Sequence, residues 1–358
     1  MAETTVASGL KEAVWDNDFF MEYVRASRFK PFMGTAHNKL IVMNEDLTKK
    51  AGDRVYFSAM RKLSAPGVTG SQTLVGNEEA LDNRSMSVLV DWIRHGVTFT
   101  EREQQFTGIQ LRDAGRAALK DWSMEKMRDG IIAAFASIDG VAYTSASAAQ
   151  KNTWETNNAD RVLMGALKSN RTGTHATSLG NIDNTDDKLT PAVISLAKRM
   201  AMATSPKIKP IRVDGDKEFY VMFANSLAFR DLQNNSTMQQ ANRDARARGV
   251  DSNPIFQGGE LIWDGVVVIE VPEIAYISST IQVGPNYLCG QAAIGVAWAS
   301  RFKTTEKKED DYAFKPGIGI QECRGIEKLR FGTSGSSDTG TPVDNGVVTV
   351  FTAAVADA

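Results

Sequence analysis

Residues that usually carry chemistry are sparse in this chain. Three histidines and two cysteines stand among 358 residues. His37, His95 and His175 lie far apart, and none has a partner four residues away of the kind that places two zinc ligands on one helix face. His95, within Ile93-Arg94-His95-Gly96-Val97, reads as a satisfied sheet histidine. Cys289 and Cys323 lack any CxxC spacing, which argues against a disulfide framework or a zinc site and suits a reducing environment. An excess of one charge sign is also missing. The 41 Lys and Arg against 43 Asp and Glu give a net charge of −2, so any contact with nucleic acid is local and weak. No apolar run approaches the roughly 20 residues that span a bilayer. The polar start, Met1 to Ser8, has neither the basic nor the apolar region of a signal peptide, so the expectation is a soluble protein with no membrane partner.

Motifs for catalysis are absent too. There is no Walker loop, no GxGxxG after a strand and no GxSxG elbow, and the nearest string, Gly332-Thr333-Ser334-Gly335, has the wrong spacing. The acidic runs Glu309-Asp310-Asp311 and Asp183 to Asp187 lack the glycine and terminal glutamate of an EF-hand and read as solvated charge. Arg243, Arg246 and Arg248 on a predicted helix suit an interface or solvent. No catalytic residue, cofactor or metal is assigned, and the chain is expected not to be an enzyme.

What is present is apolar material for sizeable cores, 42% hydrophobic residues against 23% charged. Residues 1–52 read as an arm that docks on something larger, with Trp15, Phe19, Phe20 and Tyr23 as its contact residues. From Arg54 the apolar residues Val55, Phe57, Ala59 and Leu63 alternate with polar ones, and a second strand-like run follows from Arg84 to Thr100. The segment between carries Gly67, Gly70, Gly76, Pro66 and the pair Glu78 and Glu79, so the whole reads as a long hairpin with a wide polar tip. A two-stranded ribbon of that length is marginal alone, and its packing is expected from a neighbouring subunit.

Residues 108–137 predict a long helix, without proline and with nine charged residues of both signs. Leu111, Ala114, Ala118 and Trp122 share one face, whereas Met124, Met127, Ile131 and Phe135 lie roughly opposite, as in a strut crossing different surroundings. Residues 139–188, rich in Ser, Thr, Asn and Gly, read as irregular structure or a mobile loop. Thr190 before Pro191 predicts a capped helix with Val193, Ile194, Ala197 and Met200 inward. Two hairpins, Ile208–Val213 with Phe219–Phe223 and Leu261–Trp263 with Val266–Val271, turn through Asp-Gly dipeptides, and helices are predicted at Ser226–Asn234 and Thr237–Arg248. The fold class is α+β. The 332–358 tail reads as exposed or as an added edge strand at Val347–Phe351.

A family resemblance joins these pieces. Gly67-Val68-Thr69-Gly70 followed by Leu74-Val75-Gly76-Asn77-Glu78-Glu79-Ala80-Leu81 resembles the hairpin tip of the major capsid family typified by phage N4. Further stretches resemble it in the same order, among them Lys50-Ala51-Gly52-Asp53, Pro210-Ile211-Arg212-Val213-Asp214-Gly215, Asn253-Pro254-Ile255-Phe256 and Leu288-Cys289-Gly290-Gln291-Ala292. The resemblance covers about residues 45–331. It implies the Hong Kong 97 type capsid fold, with an N-terminal arm (1–52), an extended E-loop hairpin (53–103), a peripheral domain with a spine helix (104–188 and 300–331), an axial domain (189–299) and a C-terminal tail (332–358). It also implies a virion shell subunit, assembled in the bacterial host cytoplasm. The partners implied are its own copies in hexamers and pentamers, portal and scaffolding proteins, a decoration protein, and enclosed double-stranded DNA. Pro66, Gly67, Val68, Thr69, Gly70, Leu74, Asn77, Glu78 and Glu79 are the expected inter-subunit contacts of the tip. An encapsulin-like compartment shell shares this fold and is the alternative.

Overall fold

In a computed structural model, residues 29–48, 52–60, 62–63, 65–81, 83–106, 111–213, 217–246, 261–307, 312, 314–332 and 341–357 are described. The arm residues Trp15, Phe19, Phe20 and Tyr23 lie outside them, as do Arg248 and the Asp214-Gly215 turn.

Two sheets organise the chain. The first has five strands in the order Met33–Gly34, Ile41–Asn44, Ile294–Lys307, Gly317–Lys328 and Asp91–Thr98. Its centre is the long antiparallel pair 294–307 and 317–328. The second runs Val162–Met164, Val347–Ala353, Gln282–Cys289, Lys217–Ala224, Val266–Glu270 and Leu261–Trp263, with two short strands attached. Helix Pro191–Ala203 begins as its sequence requires, Thr190 Oγ1 accepting from the Val193 amide, and it buries Val193, Ile194, Ala197 and Met200. In the turn joining 261–263 to 266–270, Asp264 and Gly265 both have positive φ, 48° and 71°, the geometry a two-residue hairpin demands.

The long helix Leu111–Ala136 lies across one face of the first sheet. Its buried row is Gly115, Leu119, Ser123, Met127, Ile131 and Phe135, one residue in every four. At about 100° per residue such a row turns through about 200° along the helix, so the buried face does migrate to the opposite side. The residues differ from those expected: Ala114 and Ala118 face solvent, and Gly115 and Ser123 hold the inward places. Gly115 sits against Val97, where the helix comes close to the sheet. At the far end, Phe135 stacks on Tyr287 at 5.3 Å and meets Phe223 at 5.6 Å, with Phe29 closing on Phe223 at 5.0 Å. This aromatic knot joins the two sheets.

Three expectations need correction. The run from Arg84 to Thr100 is two strands: Asn83–Leu89 pairs with Arg54–Met60, whereas Asp91–Thr98 is an edge of the first sheet. The tail is neither exposed nor an edge at 347–353; that strand is wholly buried between 282–289 and 162–164. Residues 139–188 are likewise built structure, with helices Ala148–Asn157 and His175–Gly180 and a small core around Trp154, Met164 and Phe351.

Polar contacts hold that last region together, which is why apolar patterning missed it. Asp187 is buried rather than solvated, and its carboxylate accepts from the Ala166 and Asp183 amides and from Asn170. Gly165 makes room for it: φ is +64° there and a Cβ would overlap the Asp187 side chain. Glu155, fully buried, receives His175 Nδ1 at 2.9 Å, the Ser178 hydroxyl at 2.5 Å and the Gly173 amide. Burial acts to raise the Glu155 pKa, but those hydrogen bonds and the His175 charge outweigh it and hold the carboxyl below its ordinary value.

Two predictions follow from this packing. Because the folded-state pKa of Glu155 is depressed, its contribution is complete above the ordinary glutamate range and is lost as pH falls through the lower folded value. Denaturant titrations of Glu155→Gln are expected to show a loss of about 1–3 kcal/mol at neutral pH. They should also show a shallower decline in acid than the unaltered chain. Gly325→Ala should cost about 1–3 kcal/mol in the same assay, because its Cβ meets the Leu89 carbonyl oxygen, a backbone atom.

Candidate assembly surfaces

The hairpin of Arg54–Met60 and Asn83–Leu89 has two unlike faces, since alternate residues point to opposite sides. Val55, Phe57 and Val88 turn inward and are buried with Val42, Ala297, Leu329 and Phe331 of the same chain. The base of the hairpin is thus packed by its own subunit, contrary to the expectation that a neighbour supplies that packing. Its other face carries Tyr56 and Met60, 66% and 69% exposed, with Leu89 beside Arg54. The alternation at Val55, Phe57 and Ala59 revealed the inner face; the outer one, apolar without being buried, gave no such signal.

The tip is organised by itself. Gly67, Gly70 and Gly76 adopt positive φ with no atom within 4 Å of a built Cβ. Glu79 accepts from the Ala65 amide at 2.6 Å and Glu78 from the Gly76 amide at 2.7 Å. The Asn77 amide donates to Leu74 and its side chain to Thr73. Pro66, Gly67, Thr69, Gly70, Leu74, Asn77, Glu78 and Glu79 are all exposed, and Val68 is half-buried. Leu63, Leu74, Val75 and Leu81 add exposed apolar side chains, Val75 at 79%. Such a run of uncovered apolar groups on one projection is costly unless another surface covers it.

Two further uncovered places escaped the sequence reading. Trp92 stands 55% exposed on the 91–98 strand. Phe106 is exposed at the end of the short helix Glu101–Phe106, whose start is tied to the 312–316 segment by the Glu101 amide on the Phe314 carbonyl. Tyr312 and Phe314, in that segment, are exposed as well.

The side-chain cluster that most resembles a catalytic set is closed to substrate. A carboxylate has no proton to give, so His175 Nδ1 donates to Glu155, and the Nε2 of the neutral ring accepts from the Tyr143 hydroxyl at 2.8 Å. The Ser178 hydroxyl donates to Glu155 rather than to the imidazole. Burial pushes the Tyr143 pKa up to about 12, which keeps its proton in place. Every polar end is occupied within the cluster, which ties helix 148–157 to helix 175–180. His95 leans on Trp122 at 4.6 Å, and His37 is exposed. Cys289 and Cys323 are free thiols, both buried.

A family model for phage capsid proteins matches residues 3–356. The major capsid protein of Pseudomonas phage KPP25 is 27% identical over 366 residues, spanning 96% of this chain and 95% of that one. The capsid asymmetric unit of cyanophage Pam1 aligns with a TM-score of 0.83 at 35% identity, covering all of both chains. The capsid of Ralstonia phage GP4 shares the fold at a TM-score of 0.74 and 24% identity, over 93% of this chain and 92% of that one. With a self-contained hairpin projecting uncovered apolar groups, and a match along almost its whole length, the chain belongs to the phage capsid protein family.

Proposed function

We infer that this chain is the major capsid protein of its phage, the repeated wall subunit of an icosahedral head. The observation that carries the reading is the hairpin. Tyr56, Met60, Leu63, Leu74, Val75, Leu81 and Leu89 form an apolar exterior on a base packed firmly from inside. Covering each such side chain is worth on the order of 1 kcal/mol, and closed symmetry repeats the contact at every subunit. On this reading the hairpin is the E-loop of a Hong Kong 97 type fold, and residues 66–79 are its contact with the next subunit. The helix 111–136 is the spine of the peripheral domain. The second sheet belongs to the axial domain, enlarged beyond 189–299 by the strands at 162–164 and 347–353.

The same reading makes hexamers and pentamers the building units, with portal and scaffolding proteins as assembly partners and a decoration protein as an outer one. Near-neutral charge suits a wall that encloses double-stranded DNA by weak contacts, because many phosphate contacts per subunit would impede packaging and release. Assembly takes place in the host cytoplasm, and the finished protein resides in the virion.

Removal of Pro66–Leu81 is expected to leave a soluble subunit with unchanged circular dichroism that forms no closed particles by electron microscopy. Tyr56→Lys with Met60→Lys should give the same outcome, because both positions are on the outer face and make no core contact. Normal shells from either variant would contradict the role given to the hairpin.

A further inference from the structure

The first sheet is covered by the long helix on one face only, and the register identifies what stands on the other. Val97 lies at Gly115 of the helix, His95 on Trp122, and Glu306 pairs with Arg112 and Arg116, so odd positions of 91–98 and even positions of 304–306 point to the helix. By alternation, Arg94, Gly96 and Thr98 point away from it, in rows with Gln321 and Lys303, Gly319 and Thr305, and Gly317 and Lys307. Trp92 is on the same side.

The two ends of this helix-free face differ. At the end bearing Gly295, Ala297 and Gly325 it is already occupied by the hairpin base of the same chain: Phe57 lies against Gly295, and the Leu89 backbone against Gly325. At the other end Arg94, Gly96, Thr98, Lys303, Thr305 and Lys307 are all exposed. Glycine at 96, 317 and 319 leaves the middle without side chains, as Gly295 and Gly325 do where the hairpin base sits. This open end carries three basic residues and, among its described positions on these strands, no Asp or Glu. The hairpin tip is its complement: residues 65–81 contain Glu78 and Glu79, no Lys or Arg, and the exposed apolar residues Leu74, Val75 and Leu81. The described hydrogen bonds of the tip run within the tip, and the open end is exposed, so a chain does not seat its own tip there.

We propose that the open end of the helix-free face, marked by Arg94, Lys303, Lys307 and Trp92, is the seat for the hairpin tip of a second copy of this chain. This rests on the reading of the hairpin as an assembly element and adds its receptor. One sheet face then receives two hairpins, its own base on the glycine-lined end near 325 and a neighbour's tip on the glycine-lined end near 319. Opposite charge at the two patches steers the encounter and disfavours a shifted docking.

Charge reversal on each side and on both together tests this. Lys303→Glu with Lys307→Glu alters only exposed positions, and the yield of closed shells is expected to fall by about tenfold or more at low ionic strength. Gln72→Lys with Ala80→Lys on the tip should produce a similar fall, and the four changes combined should restore shells. Shells at normal yield from the sheet variant, or no restoration in the combination, would overturn the assignment. Normal empty shells with reduced DNA content would overturn it too, giving the basic face to nucleic acid instead. Tip removal run in parallel separates the two levels. Shells lost on removal but indifferent to charge reversal leave the hairpin reading standing and remove this receptor, whereas shells that survive removal defeat the hairpin reading itself.

Discussion

A sheet shielded on one face only is the constraint from which the rest of the molecule follows. Strands 294–307 and 317–328 are the longest in the chain, and the helix 111–136 covers one side of them. Beneath that helix even charged groups are enclosed: Arg324 donates to Glu322 at 2.7 Å and approaches the Met127 sulfur, with Gly130 leaving space overhead. Burial raises the Glu322 pKa, against the opposing effect of Arg324. A pair enclosed in this way favours one registration of helix on sheet, because any shift leaves a charge without its partner. The other side of the same strands has no helix, and there the chain places its own hairpin and leaves the remainder open.

Rigidity on the enclosed side is what makes the open side useful to a shell. A projecting ribbon held only by its turn would be marginal, but Val55, Phe57 and Val88 fix this one to its subunit, so the exposed Tyr56 and Met60 are presented in a set geometry. The second sheet serves the same end. Its connection to the first through Phe29, Phe135, Phe223 and Tyr287 makes the long helix a link between the two halves. The hydrogen-bonded region around Glu155, His175 and Asp187 then braces the outer edge of that second sheet.

How much of this was legible depended on whether the signal was local. The Thr190-Pro191 helix start, the Asp264-Gly265 turn and the helix at 226–234 were readable because a few adjacent residues determine them. The burial of 347–353 was not, because its partners at 162–164 and 282–289 are distant in the chain and nothing within Val347–Phe351 distinguishes a central strand from an edge. Residues 139–188 were misread because their order comes from Asp187, Glu155 and Arg161, whose guanidinium reaches the Asp344 and Ser205 carbonyls, not from an apolar stripe. The helix row was missed at Gly115 and Ser123 because a close approach to a sheet selects small residues, which a search for large apolar ones passes over. The tip residues were found by resemblance, whereas the outer hairpin face and the basic sheet end became visible only with the register.

The central claim is that the outer hairpin face, open in the isolated subunit, is covered in the shell. Hydroxyl-radical labelling read by mass spectrometry measures it directly at Tyr56 and Met60, compared between unassembled subunits and purified particles. The account predicts strong labelling of both residues in the subunit and protection of about fivefold or more in particles, while the already buried Phe57 and Phe331 stay unlabelled in either state. Equal labelling of Tyr56 and Met60 before and after assembly would contradict it.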